Sequence, residues 1–402
     1  MVRSPWWRYG CVVTSRTEPV ALAVVAALAV TAGSACQVRG VIGSNLDDDG
    51  GETSTAGTGA DGTSTGASLT TPGTSPGDTG LSGTSAGDAT TSPGIVFDVG
   101  APDAPRQCPA FAHSSCDAEV ADPMQALGIN CPGPGPKATG TLTGASGAYR
   151  VHEGTIGTHG YFSPREGNRM LILSTGIAGE IPVPASELCP GCPDTDFGQP
   201  VINVLPAPID VRDVDDTSTC TDDPELIGTG DCSNSLEQEW TAGTGAYDYV
   251  ELRMTAEVPP GFDALRYQFA FFSSEYPLWF DHESPWNDMY VAWLESEAWT
   301  GNISFDEMGN PISINGVFLD FRDAPAAGCD EPCEAPELAG FAMEGHAGTR
   351  WLETVAPVVG GETIELVFAV FDLSDGSFDS AVVLDDWDWT CSGGPPITAP
   401  VG

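Results

Sequence analysis

From Tyr249 to Leu384 the chain repeats one unit, a short apolar run closed by glycine, proline or a polar turn. Leu265, Tyr267, Phe269 and Phe271 alternate with Arg266, Gln268 and Ala270. Ile364, Leu366, Phe368 and Val370 alternate with Glu365, Val367 and Ala369. A period of two sends alternate side chains to opposite faces of a pleated strand. Runs at Tyr249–Val258 (ended by Pro259-Pro260-Gly261), Met289–Leu294, Val317–Phe321 and Ser380–Leu384 continue the series. Gly301–Phe305 and Ile312–Ile314, separated by Met308-Gly-Asn-Pro311, read as a hairpin. Upstream, Arg169–Ser174 is another strand candidate, and Gly140–Gly160 reads as short strands and turns. Asp122-Pro123 opens a short helix, with Asp as N-cap and Pro in the first position. With 33 Pro and 49 Gly, no long helical period survives. The expected fold is mainly β, a β-sandwich or jelly-roll-like domain spanning 106–391.

What precedes that domain has a different character. Residues 1–35 read as an export signal. Arg3, Arg8 and Arg16 lead into the apolar run Val20–Ala32, which is short for a bilayer span. Gly33-Ser34-Ala35-Cys36 resembles the lipobox of bacterial lipoproteins, in which the cysteine is lipidated. Cleavage after Ala35 without lipid is the alternative, and it would give a secreted protein. Residues 36–105 read as a disordered linker. There is no Lys or Arg from Gly40 to Pro105, and Leu69 and Leu81 are the large aliphatics between Asp49 and Gly94. Gly73-Thr-Ser-Pro-Gly-Asp78 is echoed by Gly83-Thr-Ser-Ala-Gly-Asp88. Such a segment buries too little apolar surface to offset its chain entropy. A flexible chain of roughly 60 residues reaches on the order of 40 Å, enough to hold a domain off a membrane. Residues 392–402 read as a short tail.

Cysteine usage fits export. Beyond Cys11 and Cys36, ten remain: Cys108, Cys116, Cys131, Cys189, Cys192, Cys220, Cys232, Cys329, Cys333 and Cys391. An even number in an oxidising compartment predicts disulfides, with connectivity open. Cys189-Pro-Gly-Cys192 has redox-motif spacing, but Pro190-Gly191 favours a structural turn. A zinc site from Cys189, Cys192, Cys329 and Cys333 is a further alternative. The Pro- and Asp-rich stretch from Ile181 to Asn234 reads as a disulfide-rich surface insertion held by Cys189, Cys192, Cys220 and Cys232.

The formal net charge is -43, and Lys137 is the one lysine. With no basic cluster outside the N-terminus, nucleic acid is excluded as a partner. The expected partners are a membrane, through the N-terminal lipid alone, and a surface glycan or protein ligand.

Four stretches, taken in order, resemble a known family. They are Arg169-Met-Leu-Ile-Leu-Ser-Thr-Gly176, Tyr267-Gln-Phe-Ala-Phe-Phe-Ser-Ser-Glu-Tyr276, Trp286-Asn-Asp288, and Ala369-Val-Phe-Asp372 through Asp375 to Phe378-Asp-Ser-Ala-Val-Val383. Their order and spacing resemble the choice-of-anchor L domain, an exported bacterial domain, with Ser274 standing where that family usually has the first Glu of its Ser-Glu-Glu-Tyr run. The resemblance covers about 118–391. It implies a β-rich fold and a cell-surface or secreted location, and it supplies no molecular activity.

The chemistry-bearing candidate is the loop Asp372-Leu-Ser-Asp375-Gly-Ser-Phe-Asp379 between two apolar runs. Hard cations want several oxygen ligands at once. Asp372, Asp375 and Asp379, with Glu275, Asn287 and Asp288 at other strand ends, are calcium candidates. The loop is not an EF-hand: Ser374 and Gly376 occupy the third and fifth positions. The alternative is a tight turn in which the short polar side chains of Asp379 and Ser380 bond backbone groups. Asp210, Asp213, Asp215 and Asp216 form a second acidic run, expected to be solvated. Trp279, Phe280, Trp286, Trp387 and Trp389 are candidate sugar-stacking rings, so a carbohydrate-binding or carbohydrate-active module is the alternative function. His113, His152, His159, His282 and His346 are scattered, and no zinc-protease or nucleophile-elbow motif occurs. No enzyme activity is therefore expected, although a glycosidase pair among so many carboxylates would carry no motif.

Overall fold

The structure, a computed structural model, describes residues 108–109, 114–119, 121–211, 236–280, 285–306, 309–316, 318–324, 334–391 and 394–401. All belong to the unit Ile95–Gly402. The stretches read as an export signal and a linker, with Cys36 between them, lie outside the described residues. So do Cys220, Cys232, Cys329, Cys333, Asp213, Asp215, Asp216, His113 and His282.

In chain order the elements are α1 (Pro123–Ala126), β1 (Ala138–Thr143), β2 (Tyr149–Glu153), β3 (Arg169–Ser174), α2 (Glu237–Ala242), β4 (Ala246–Glu257) and β5 (Ala264–Ser273). Then come β6 (Met289–Glu295), β7 (Thr300–Asn302), β8 (Ile312–Ser313), β9 (Phe321–Arg322), β10 (Ala347–Gly348), β11 (Leu352–Pro357), β12 (Thr363–Leu373), β13 (Ser380–Thr390) and β14 (Ile397–Pro400). Asp122 caps α1 as expected, its Oδ1 accepting from the Met124 and Gln125 amides at 3.0 Å each.

The strands form two antiparallel sheets. The first runs β1-β4-β12-β6-β7, with β8 also on β6. The second runs β14-β11-β5-β13-β3-β2, with β10 joining β5 to β9. The sheets face each other across one core. Leu252, Leu366, Phe368, Val370 and Tyr290 from the first meet Leu171, Leu173, Phe269, Phe271, Val382 and Trp387 from the second. The expected mainly β sandwich is the fold.

Both sheets are also covered on their outer faces. Val291, Trp293, Val367, Ala369 and Phe371 pack under Leu205, Ile209 and Leu236. Met170, Ile172, Ala270, Phe272 and Val383 pack under Ile156, Phe162, Phe341 and Met343. Antiparallel sheets commonly leave one face wet, and a strand buried on both sides reads as a continuous apolar run. That is why Met170-Leu-Ile-Leu173 and Ala381-Val-Val-Leu384 lack alternation.

Several expectations change. Ile312–Ser313 pairs with β6 and not with the Gly301 stretch; the turn between them carries an isolated Phe305–Pro311 bridge, and the Asp306 amide donates to Asn310 O at 2.9 Å. The strand placed at Val317–Phe321 is reduced among the described residues to Phe321–Arg322. The segment read as a tail holds β14, which pairs with β11 from Val355↔Ile397 to Leu352↔Pro400. The disulfides are Cys108–Cys391, Cys116–Cys131 and Cys189–Cys192. Cys189 and Cys192 are thus bonded to each other, which removes both from the zinc alternative. Trp387 and Trp389 are buried, so neither offers a face to a sugar.

Candidate metal centre

The loop between β12 and β13 crosses from one sheet to the other at one end of the sandwich. Because the pairing is antiparallel, the end of β12 lies beside the starts of β4 and β6. The start of β13 likewise lies beside the ends of β5 and β3. Six strand ends therefore meet here, and alternation decides which side chains turn into the gap.

Along β12, Ile364, Leu366, Phe368 and Val370 face the inter-sheet core. Asp372 continues that parity, past a register shift between Val370 and Asp372. Asp288 is two residues before inward-facing Tyr290, and Ser380 two before Val382. Thr175 is two after Leu173, and Ser273 and Glu275 follow Phe271. The last inward layer is thus polar, made of Thr175, Ser273, Glu275, Asp288, Asp372 and Ser380, and every member except Glu275 and Asp288 belongs to a strand or directly follows one.

Donors reach part of this layer. Asp288 accepts from Ser380 Oγ at 2.7 Å and from the Leu373 amide at 3.1 Å. Thr175 Oγ1 accepts from the Ser380 amide at 2.9 Å. Asp372 is 1 % exposed, and neither of its oxygens makes a hydrogen bond of good geometry; the Thr175 hydroxyl and the Asp288 carboxyl are the polar groups beside it. Glu275 is 2 % exposed, and its Oε2 likewise makes no such bond. Among the described residues the Arg ion pairs lie elsewhere, on Glu153, Glu251, Glu365, Glu353, Asp386 and Asp320.

The electrostatics follow. Burial pushes the Glu275 carboxyl up to about 10, and the Asp288 charge adds to the rise. Burial raises Asp288 to about 7, against the pull of its Ser380 and Leu373 donors. Asp372 is held well above the usual carboxylate range, by burial first and then by Asp288. Isolated from water, an ionised carboxylate costs on the order of several kcal/mol unless something positive meets it.

Asp379 and Asp375 lie just outside this layer. Asp379 is buried; its Oδ1 accepts from the Thr195 amide at 2.6 Å, while Oδ2 has no donor. Burial raises it to about 7, with Asp194 and Glu180 adding to the effect and the Thr195 amide opposing it. Asp375 is half-buried and accepts from the Ser377 amide at 3.0 Å. Burial raises it, with Asp194 and Asp196 adding to the rise. That Asp375–Ser377 bond closes a local turn, whereas Asp379 and Ser380, the residues expected to bond a tight turn, meet the Thr195 amide and the Asp288 carboxyl. Asn287 points elsewhere, donating to Glu239 at 2.8 Å.

The stretch 193–198 was not expected here. Read from sequence as part of a surface insertion, it lies across the loop as a strap. Pro193 O accepts from Ser274 Oγ at 2.8 Å, and Asp194 accepts from the Phe378 amide at 3.0 Å. Phe197 is half-buried against the inter-sheet core. No period marks this segment, so only its Asp194-Thr-Asp196 spacing hints at a role.

Trp279 and Trp286 sit side by side with ring centroids 4.9 Å apart, and Trp279 is 39 % exposed. Among the described residues no three His, Cys, Asp or Glu side chains already stand at metal-ligand spacing. Comparison of the chain with family models, with characterised proteins and with solved structures finds no match.

Proposed function

We propose that the chain is an exported, cell-surface β-sandwich that displays a binding surface, stabilised by a calcium ion on Asp372, Asp288 and Glu275. The observation that carries the ion is Asp372, a fully buried carboxylate with no hydrogen bond of good geometry, beside the Asp288 and Glu275 carboxyls and, among the described residues, with no Arg or Lys ion pair. Only protons or a hard cation can neutralise such a group. Calcium tolerates six to eight oxygens in flexible geometry, and hydroxyls at Thr175 and Ser380 adjoin the carboxylates. Because the side chains are not at coordination spacing, binding would draw them inward by rotamer change. The rival is a proton shared between Asp288 and Asp372.

Thermal melting of the full chain with calcium and with chelator separates the two. Calcium is expected to raise the melting temperature by several degrees, and Asp372→Asn to abolish the response. No calcium response in the wild type, with Asp372→Asn simply more stable at neutral pH, would establish the shared proton instead.

The display role rests on sequence: the leader, Cys36, the linker and the resemblance to choice-of-anchor L domains. Lipid on Cys36 predicts incorporation of labelled fatty acid that Cys36→Ala removes. The role assigned is binding and not catalysis. A glycan ligand is the second reading, favoured by the Trp279–Trp286 pair. A glycan array in which Trp279→Ala matches wild type would discard it.

A further inference from the structure

We infer that the Cys189–Cys192 disulfide is a redox-sensitive latch on the strap, which a dithiol reductant opens to bare the polar end of the sandwich. The latch stands whether or not an ion binds there.

The strap is tied down at both ends, and the two ties differ in kind. At the far end Ile202 pairs with Ala246 at the start of β4, by backbone bonds of 2.8 and 2.9 Å. At the near end the chain enters through Cys189-Pro-Gly-Cys192. This turn is closed by the Cys192 amide on Cys189 O at 3.0 Å and by the disulfide. Cys189, Pro190 and Gly191 are exposed, and Pro193 is buried. The Pro193 carbonyl accepts from Ser274 Oγ at 2.8 Å and from the Asp379 amide at 3.4 Å. No residue separates the bridge from the first grip of the strap on the sandwich.

Beyond Pro193 the grip is a series of single bonds. The Phe378 amide donates to Asp194 at 3.0 Å, the Thr195 amide to Asp379 at 2.6 Å and the Phe197 amide to Asp248 at 3.2 Å. Among the described residues, 193–198 joins no strand ladder. A segment held this way opens at less cost than the strands beneath it. The bridge restricts what the turn can do once those bonds break. Without it the near end is free, and the strap swings about the Ile202–Ala246 pairing. Opening withdraws two amides from Asp379 and Asp248, which are 1 % and 3 % exposed, and uncovers Ser274 beside Glu275.

The chemistry is thiol–disulfide exchange, which needs an accessible sulfur. One thiolate of the dithiol attacks the exposed Cys189 sulfur, and Cys192 leaves as a thiolate and takes up a proton. The second thiol then closes on the first, releasing Cys189. The cysteine pair gains two electrons and two protons, and the dithiol ends as its own disulfide. Cys131 of the neighbouring bridge is 2 % exposed and shielded from such attack.

The test uses the full chain, oxidised, and again after dithiothreitol under native conditions. Free thiols are trapped with iodoacetamide and mapped by mass spectrometry, and amide hydrogen exchange is followed in the same samples. A Cys189→Ser, Cys192→Ser double variant is run beside them, with the other bridges intact. Label is expected on Cys189 and Cys192 without denaturant. The Thr195, Phe197 and Phe378 amides are expected to exchange at least about tenfold faster in the reduced chain and in the double variant, with the amides of β3 unchanged. Reoxidation should restore protection, which keeps the test valid where the double variant fails to fold. Labelling that requires denaturant overturns the inference, as does strap exchange equal in the oxidised and reduced chains. Equal acceleration of β3 also overturns it, since the bridge would then support the whole fold and gate nothing.

Discussion

Gly176 and Asp379 show how tightly single residues are fixed at the closed end of the sandwich. A Cβ on Gly176 would collide with the Asp379 carboxylate. Gly176→Ala is therefore expected to destabilise the chain by about 1–3 kcal/mol, the usual scale of overpacking. Urea unfolding measures this, and a second change, Asp379→Ser, should recover part of the loss by vacating the space. The same end of the molecule sets a pH dependence. Unfolded carboxyls titrate near about 4. Folded, Asp288 and Asp379 hold their protons to about 7 and Glu275 to about 10. The folded chain thus binds more protons than the unfolded one above pH of about 4. Metal-free stability is full below that value and is lost as pH rises through about 7 and on toward 10. Calcium, if it takes the place of those protons, flattens or reverses the slope. Melting in chelator between about pH 5 and about pH 8 checks the sign. The sequence shows Asp372 as one carboxylate among three in a loop. Its inward direction was already implied by the parity of Ile364, Leu366, Phe368 and Val370. Its lack of a hydrogen bond of good geometry depends on residues far along the chain and has no local signature.

At the scale of elements, legibility followed the strength of the period. β3 falls on Arg169–Ser174 as expected, because a run of four apolar residues flanked by polar ones leaves little choice of bounds. β13 extends past Leu384 to Thr390, where Asp385, Asp386 and Asp388 interrupt the apolar pattern. The ladder to β5 survives them through an irregularity between Asp385 and Asp388. Asp386 meets Arg266 there at 2.7 Å, a partner that only pairing supplies. β14 was missed because four residues ending in proline carry almost no period. Its value lies in what it covers. It pairs along β11, and Thr398 Oγ1 lies 2.8 Å from Thr354 Oγ1, which lies 3.0 Å from Ser304 Oγ. Thr398→Val is expected to cost about 1 kcal/mol, the net worth of one such bond. Deleting 397–402 should cost more, and it should raise light scattering by baring the edge of β11. Denaturant midpoints and scattering at matched concentration measure both.

Across the whole molecule, the sequence conveyed the class of fold and hid the way the two sheets are shielded. Strand runs without alternation already implied burial on both sides. The covering segments around Leu205, Phe162 and Phe341 have no regular pattern, so nothing local marks them as lids. The acidic balance of the chain likewise fixed no site, since most of the described carboxylates are not buried. The bridge between Cys108 and Cys391, 283 residues apart in sequence, has a mechanical consequence. A pull applied upstream of Cys108 enters there and passes through two sulfurs to the end of β13. It does not peel away β1, and the long loop between the cysteines never carries the tension. Stretched between its ends in a single-molecule experiment, the oxidised chain should yield none of that hidden length. Reduction should release on the order of 1,000 Å of it. A chain that extends equally in both states would show that the bridge does not form. For a domain under tension at its ends, this amounts to a safety catch: its shape outlasts a force that would unravel the same strands without it.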